Sequence, residues 1–181
     1  MAKNGRLILG LAILLLAFAC PAHAFDGKRT GFCLGFGAGV GVITSHEEGV
    51  PAHRSRTGLH TTLDIGAGIS DQLLILFSGH LTENKGLTPY EEVVWCEPTL
   101  IFRYYFKPTV GSFYVFGGPA AAIGTGLLMS EEVFGVAGLG VTAGGGYQFS
   151  RKFQVQIGAV LTQGNQASFT SIHALATLPL Y

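Results

Sequence analysis

Eight stretches of this chain, each about 12–16 residues long against the ~5–6 of an ordinary globular strand, alternate apolar with small or polar residues. A period of two marks a strand, because successive side chains of an extended backbone point to opposite faces. GFCLGFGAGVGVIT, residues 31 to 44, shows the pattern at its barest. Phe32, Leu34, Phe36, Val40 and Val42 form a bulky face, and Gly31, Gly35, Gly37, Gly39 and Gly41 a bare one. Glycine runs also cradle phosphates, but the dinucleotide fingerprint is G-x-G-x-x-G ahead of a helix. Here the spacing is G-x-G-x-G-x-G and no amphipathic helix follows.

The second segment (57–70) sets Leu59, Leu63, Ile65, Ala67 and Ile69 against His60, Thr62 and Asp64. The third (71–82) opposes Leu73, Ile75, Phe77 and Leu81 to Gln72, Ser78 and His80, with Leu74 and Leu76 breaking the pattern. The fourth (91–106) opposes Val94, Leu100, Phe102, Tyr104 and Phe106 to Trp95, Glu97, Thr99, Arg103 and Tyr105. Phe113, Val115, Pro119, Ala121 and Ile123 line the apolar side of the fifth (112–125), and Leu139, Val141, Ala143, Tyr147 and Phe149 that of the sixth (134–149). The seventh, KFQVQIGAVLTQ, alternates most cleanly. In the eighth (169–181), Ile172, Ala174, Ala176, Leu178 and Leu180 oppose Ser171, His173 and Thr177, while Leu175 and Tyr181 fit the register poorly.

Connection lengths alternate as well. Ser70-Asp71, KPTVG (107–111) and Ser150-Arg151 are short, whereas SHEEGVPAHRS (45–55), TENKGLTPY (82–90), 126–133 and GNQAS (164–168) are longer or more polar. An even strand number with short turns on one side and longer loops on the other predicts an all-β chain, an eight-stranded antiparallel up-and-down transmembrane β-barrel. Both termini then fall on the short-turn, periplasmic side. Aromatic residues test this orientation. Phe32, Phe106, Phe113, Phe149 and Phe153 lie near the short turns, and Tyr90, Phe134 and Phe169 near the long loops, as two interfacial girdles would.

The first 24 residues read as an address label: a basic start (Lys3, Arg6), an apolar run from Leu7 to Ala19 and an Ala22-His23-Ala24 cleavage site. The run is shorter than the roughly 17–25 residues of a spanning helix. The barrel is then 25–181, an exported chain of 181 − 24 = 157 residues. Losing Lys3 and Arg6 leaves 11 − 2 = 9 cations against 11 acids, which gives no basic footprint for nucleic acid. Cys33 and Cys96 fall on opposite faces by parity, so no disulfide is expected.

The motifs GFGAGVGV, FRYYFKP and GLGVTAGGGYQFS, with a final strand ending in Tyr181, resemble the small eight-stranded outer-membrane barrels of the OmpA/OmpX type. The resemblance implies an outer-membrane location, lipid neighbours, a terminal aromatic residue read by the barrel-assembly machinery, and a monomer. Pro179 interrupts the usual terminal pattern. A soluble lipocalin-like barrel is the architectural rival. It would be apolar inside and charged outside, whereas the less apolar face here is glycine, threonine and few charges. An eight-stranded barrel is just wide enough inside for side chains to fill. The glycines of segments one and six are therefore expected to make room for Arg103, Tyr105, Gln154 and Gln156.

His60, Asp64, Ser78 and His80 share the inner face of segments two and three, with Asp64 near Ser78 and His60 near His80 if the Ser70-Asp71 turn sets the register. Ser, His and Asp are raw material for a hydrolase, and paired histidines for a metal. The plainer reading is a lumen whose polar groups satisfy one another, with Glu97 and Arg103 completing an ion-pair network. No nucleophile motif surrounds Ser78. Lipid A deacylases resemble this chain in size and place a His two residues before an outward Ser. Here the order is reversed, Ser171-Ile172-His173, on an inward face. No catalytic, cofactor or metal residue is assigned. His46, Glu47 and His53 read as a solvated loop. Pro98 and Pro119 lie about equally far from the 107–111 turn, both facing outward. Proline donates no N–H, so a bulge or a short loss of pairing is expected between segments four and five. In outer-membrane palmitoyltransferases such gaps admit lipid, which makes a side entrance the functional form of this seam. A structural or surface-interaction role leads, with a small-solute conduit or a lipid A-modifying enzyme as alternatives.

Overall fold

The computed structural model describes residues 29–47, 54–85, 92–127, 133–164 and 167–181. The leader read at 1–24 and the side chains of His46, Glu47, His53, Tyr90, Trp95 and Phe134 lie outside the described residues. The strands are β1 (Gly31–Glu47), β2 (Arg54–Gly68), β3 (Leu73–Lys85), β4 (Glu92–Tyr105), β5 (Ser112–Leu127), β6 (Val133–Ser150), β7 (Phe153–Gly164) and β8 (Ala167–Leu180). Each pairs antiparallel with the next, and β8 pairs with β1 from Leu34↔Leu180 to Glu47↔Ala167, closing the barrel.

Local chemistry sets the short connections. Between β2 and β3, Ile69 N–H donates to the Leu73 carbonyl at 2.9 Å, and Ser70 Oγ accepts from Leu73 N–H at 3.1 Å. Between β4 and β5, Gly111 sits at φ +73°, a region only glycine enters without strain, and its N–H reaches the Gln148 carbonyl at 2.9 Å. A register shift between Gln148 and Ser150 leads into the β6–β7 turn.

The outer wall is apolar: Val40, Leu59, Phe77, Leu139, Val141 and Ile157 are all exposed. Such a continuous apolar surface has no place on a monomer in water. Near the short turns the rings touch: Phe113 on Tyr147 at 4.7 Å, Tyr147 on Phe149 at 4.8 Å and Phe149 on Phe153 at 5.8 Å between centroids. Cys33 points inward and Cys96 sits on the opposite face, both as free thiols.

The interior corrects three expectations. Leu74, Leu76 and Leu175 are not departures from register but apolar lumen residues. Leu74 and Leu76 pack in a layer with Cys33, Ile101, Tyr105, Tyr114, Phe116 and Tyr181. A lumen too narrow for bulk water need not be polar, so the turn-side half of the third segment is apolar on both faces, with Ser78, His80 and Thr82 following on the inner face. Phe169 does not join an outer girdle; it is buried inside with Ile43 and Ala122, because odd residues of β8 face the lumen. The glycines clear space for other side chains than those expected. On β1 a Cβ at Gly35 would lie 3.2 Å from Asp64 and at Gly41 3.0 Å from His60, and on β6 a Cβ at Gly144 would meet the Phe116 ring and at Gly146 the Tyr114 ring.

Candidate functional site

The short-turn mouth is closed by a residue ahead of β1. Arg29 Nη1 donates to the carbonyls of Asp71 at 2.8 Å and Lys107 at 2.7 Å, and Nη2 to that of Thr109 at 2.9 Å. Nε donates to Gln148 Oε1 at 3.0 Å, and the guanidinium stacks 3.7 Å from the Tyr105 ring centroid. One cation thus ties the β2–β3 and β4–β5 turns to the end of β6. A pocket of about 290 Å³ remains outside it, bounded by Asp71, Thr109, Arg151 and Tyr181. Arg29 precedes the periodic segment, so no pattern marks it.

Above this plug, Tyr105 Oη meets Tyr181 Oη at 2.8 Å and donates to Gln154 Oε1 at 3.0 Å. The terminal aromatic ring therefore faces inward. The ionic layer follows. Arg103 Nη2 pairs with Asp64 Oδ2 at 3.0 Å, both side chains buried, and the guanidinium sits over the Tyr114 ring at 5.2 Å. Asp64 and Ser78 are directly paired across β2 and β3, and Ser78 Oγ donates to Asp64 Oδ1. An unpaired charge here would carry a large desolvation cost, so the pair satisfies a requirement of the narrow lumen. Glu97, opposite His80 in the β3–β4 ladder, is also buried.

The next layer holds three histidines. His60 Nε2 and His80 Nδ1 are 3.1 Å apart. His60 Nδ1 meets Thr82 Oγ1 at 2.7 Å, and His80 Nε2 meets Ser78 Oγ at 3.1 Å. His173, from β8, stacks on His60 at 4.5 Å between centroids and lies 5.0 Å from His80. The β2–β3 turn brings His60 and His80 together. His173 joins only through barrel closure, which sets it opposite Gly41. No turn encodes that register, which is why the sequence did not group the three. Ile43, Ala122 and Phe169 close the lumen on the loop side of this layer.

Ser78, His80 and Asp64 form a hydrogen-bonded line, and Ser78 is fully buried among the described residues. Ser171 and His173 face the lumen and are buried, so they present nothing to lipid. On the wall, β4 and β5 keep one register through Cys96↔Ile123, Thr99↔Ala120 and Phe102↔Gly117, but pairing lapses at Glu97–Pro98 and again at Leu100–Ile101. In that register Pro98 stands opposite Ala121 and Pro119 opposite Leu100. The outer edges stay paired, Pro98 with Gly79 and Pro119 with Val141.

No family model matches the sequence, and no curated protein matches it. Solved structures do resemble it. Ail, the attachment invasion locus protein of Yersinia pestis, is 10% identical with a TM-score of 0.56, over 82% of this chain and 98% of that one. Neisserial surface protein A is 15% identical with a TM-score of 0.56, over 82% of this chain and 96% of that one. At such identities the likeness is one of fold: the chain has the architecture of small eight-stranded outer-membrane barrels.

Proposed function

We propose that this chain is an integral outer-membrane barrel with a closed bore, a wall element that holds surface loops rather than a conduit. The observation that carries this reading is the stack of blocking layers along the lumen. Arg29 spans the mouth, the Tyr105–Tyr181 pair and the Arg103–Asp64 pair follow, and the histidines and Phe169 lie beyond. The apolar wall with its aromatic belt supports a lipid neighbour. In this reading the short turns and both termini face the periplasm, the chain is a monomer, and the assembly machinery inserts it. The terminal ring's inward position makes the residues around Leu178 and Leu180 the outward face of that last strand.

Planar-bilayer recording of the purified protein tests the closed bore. No discrete current steps are expected; regular open-channel steps at single-molecule density would replace the wall with a pore. Protease treatment of intact cells should cut the long connections at 48–53 or 86–91 and spare the short turns.

One observation favours a second reading, a side entrance between β4 and β5. Both lapses of pairing fall on that seam. In an antiparallel ladder a residue's N–H and C=O point to the same neighbour, so each proline removes a donor from the seam itself. Against the lipid-modifying alternative, Ser78 and Ser171 are both inside the barrel.

A further inference from the structure

The histidine layer holds one ring more than its hydrogen bonds use. A continuous neutral chain runs from Thr82 Oγ1 through His60 and His80 to Ser78 and Asp64, each donor meeting an acceptor. His173 stands outside it. The ring is 1% exposed, and neither Nδ1 nor Nε2 has a hydrogen-bond partner among the described residues. Burying such a group unsatisfied is costly, and native structures rarely do it without a reason.

We infer that His60, His80 and His173 form a binding site for a divalent transition ion of the zinc class. One nitrogen from each ring lies within 4.8 Å of the other two. Zinc–nitrogen bonds of about 2.0–2.1 Å in tetrahedral geometry set nitrogens about 3.4 Å apart, so modest ring rotations that unstack His60 from His173 close the set. Three imidazoles favour zinc, copper, nickel or iron over magnesium or calcium.

Supporting groups are in place for His60 and His80. A metal-bound histidine needs its other nitrogen held by an acceptor. His80 already has this: with Nε2 bonded to Ser78, its Nδ1 faces the trio. His60 acquires it by moving its proton from Nε2 to Nδ1, where the Thr82 hydroxyl is 2.7 Å away and can accept. No ring needs to lose a proton. The ion would staple β2 and β3 to β8 across β1, a structural role. Because layers close the lumen on both sides, loading belongs to folding and release is slow.

The test refolds chelator-treated protein into lipid vesicles with Zn²⁺, Co²⁺ or Mg²⁺ alone, then removes free metal. Bound metal per chain, the visible spectrum of the Co²⁺ form and the urea midpoint are read. About one Zn²⁺ or Co²⁺ per chain, a tetrahedral cobalt spectrum and a raised midpoint are expected, with no Mg²⁺ retained. His173→Ala removes a ring that donates no hydrogen bond in the apo network, so it should fold and lose all three signals. Ser78→Ala and Thr82→Val should each weaken binding by about 10–100-fold. His53→Ala should change nothing. Metal retained equally by His173→Ala, or lost in His53→Ala, would place the ion in the loop and overturn the lumen site; so would no Zn²⁺ retained by the parent.

Discussion

Arg29→Ala removes a single side chain that lies outside every strand yet bridges two turns and a strand end. The magnitude follows from what each contact faces afterwards. The bond from Nε to Gln148 Oε1 is buried, and buried bonds to a charged group are worth about 1.5–3 kcal/mol in mutational series. The guanidinium over Tyr105 at 3.7 Å adds about 0.5–2 kcal/mol. The carbonyls of Asp71, Lys107 and Thr109 are only part-buried, so water replaces the arginine there and they contribute little. The expected loss is about 2–4 kcal/mol, a net figure because mutational values already include the ordering of the side chain. Arg29→Lys keeps the charge but not the planar fork or the stack, and should recover less than half.

Reversible urea unfolding in lipid vesicles, followed by Trp95 fluorescence, reads this directly. The midpoint should fall with the slope unchanged, since the surface exposed on unfolding is nearly the same. A loss within about 0.5 kcal/mol of the parent, the range of ordinary surface substitutions, would show that the arginine only decorates the mouth. Full stability in Arg29→Lys would remove the argument from fork geometry.

Val141→Arg and Ile157→Arg, on the outer wall, should each cost about 2–4 kcal/mol in a lipid-folding assay, and tolerance at either position would contradict the face assignment. Arg103→Met leaves Asp64 buried without its cation and should destabilise by about 3–5 kcal/mol, with part of the loss recovered in the Arg103→Met/Asp64→Asn double variant; additive losses would uncouple the two. Amides of Leu100 and Ala121 should exchange faster than those of β7 in detergent, and equal protection would remove both the seam and the side entrance.

How much of this the sequence showed depends on which register a feature needs. Strand number and the inward face follow from period two within one segment, so His60, Asp64, Glu97 and Arg103 are placed from the chain alone. The Asp64–Ser78 pair needs one turn register, and the short Ser70-Asp71 connection supplies it. Beyond that the signal fades. Leu74 and Leu76 look like noise until the lumen is known to be partly apolar. Phe169 is misplaced when position near a strand end is weighed above parity. Arg29 acts through turns brought together only by closure, and His173 meets its partners only because β8 lies against β1.

That last meeting explains why β1 is bare. His60 on β2 and His173 on β8 are separated by a whole strand, yet their rings stack at 4.5 Å. They can do so because β1 offers Gly41 at that level, paired with His173 and beside His60. An added Cβ there would lie 3.0 Å from His60 Nδ1 and 3.3 Å from Cγ, so alanine demands a shift of a few tenths of an ångström. Valine adds two further methyls to the same space. Strand propensity alone makes Gly41→Val stabilising, since glycine in a strand costs roughly 0.5–1 kcal/mol. Packing opposes this, because overfilled interiors typically lose about 1–3 kcal/mol. We expect packing to win: a net loss in urea unfolding, together with loss of the His60–His173 ring contact in NMR spectra of the protein in nanodiscs. A Gly41→Val protein more stable than the parent, with the ring contact intact, would show that the bare face of β1 serves something other than joining the strands on either side of it.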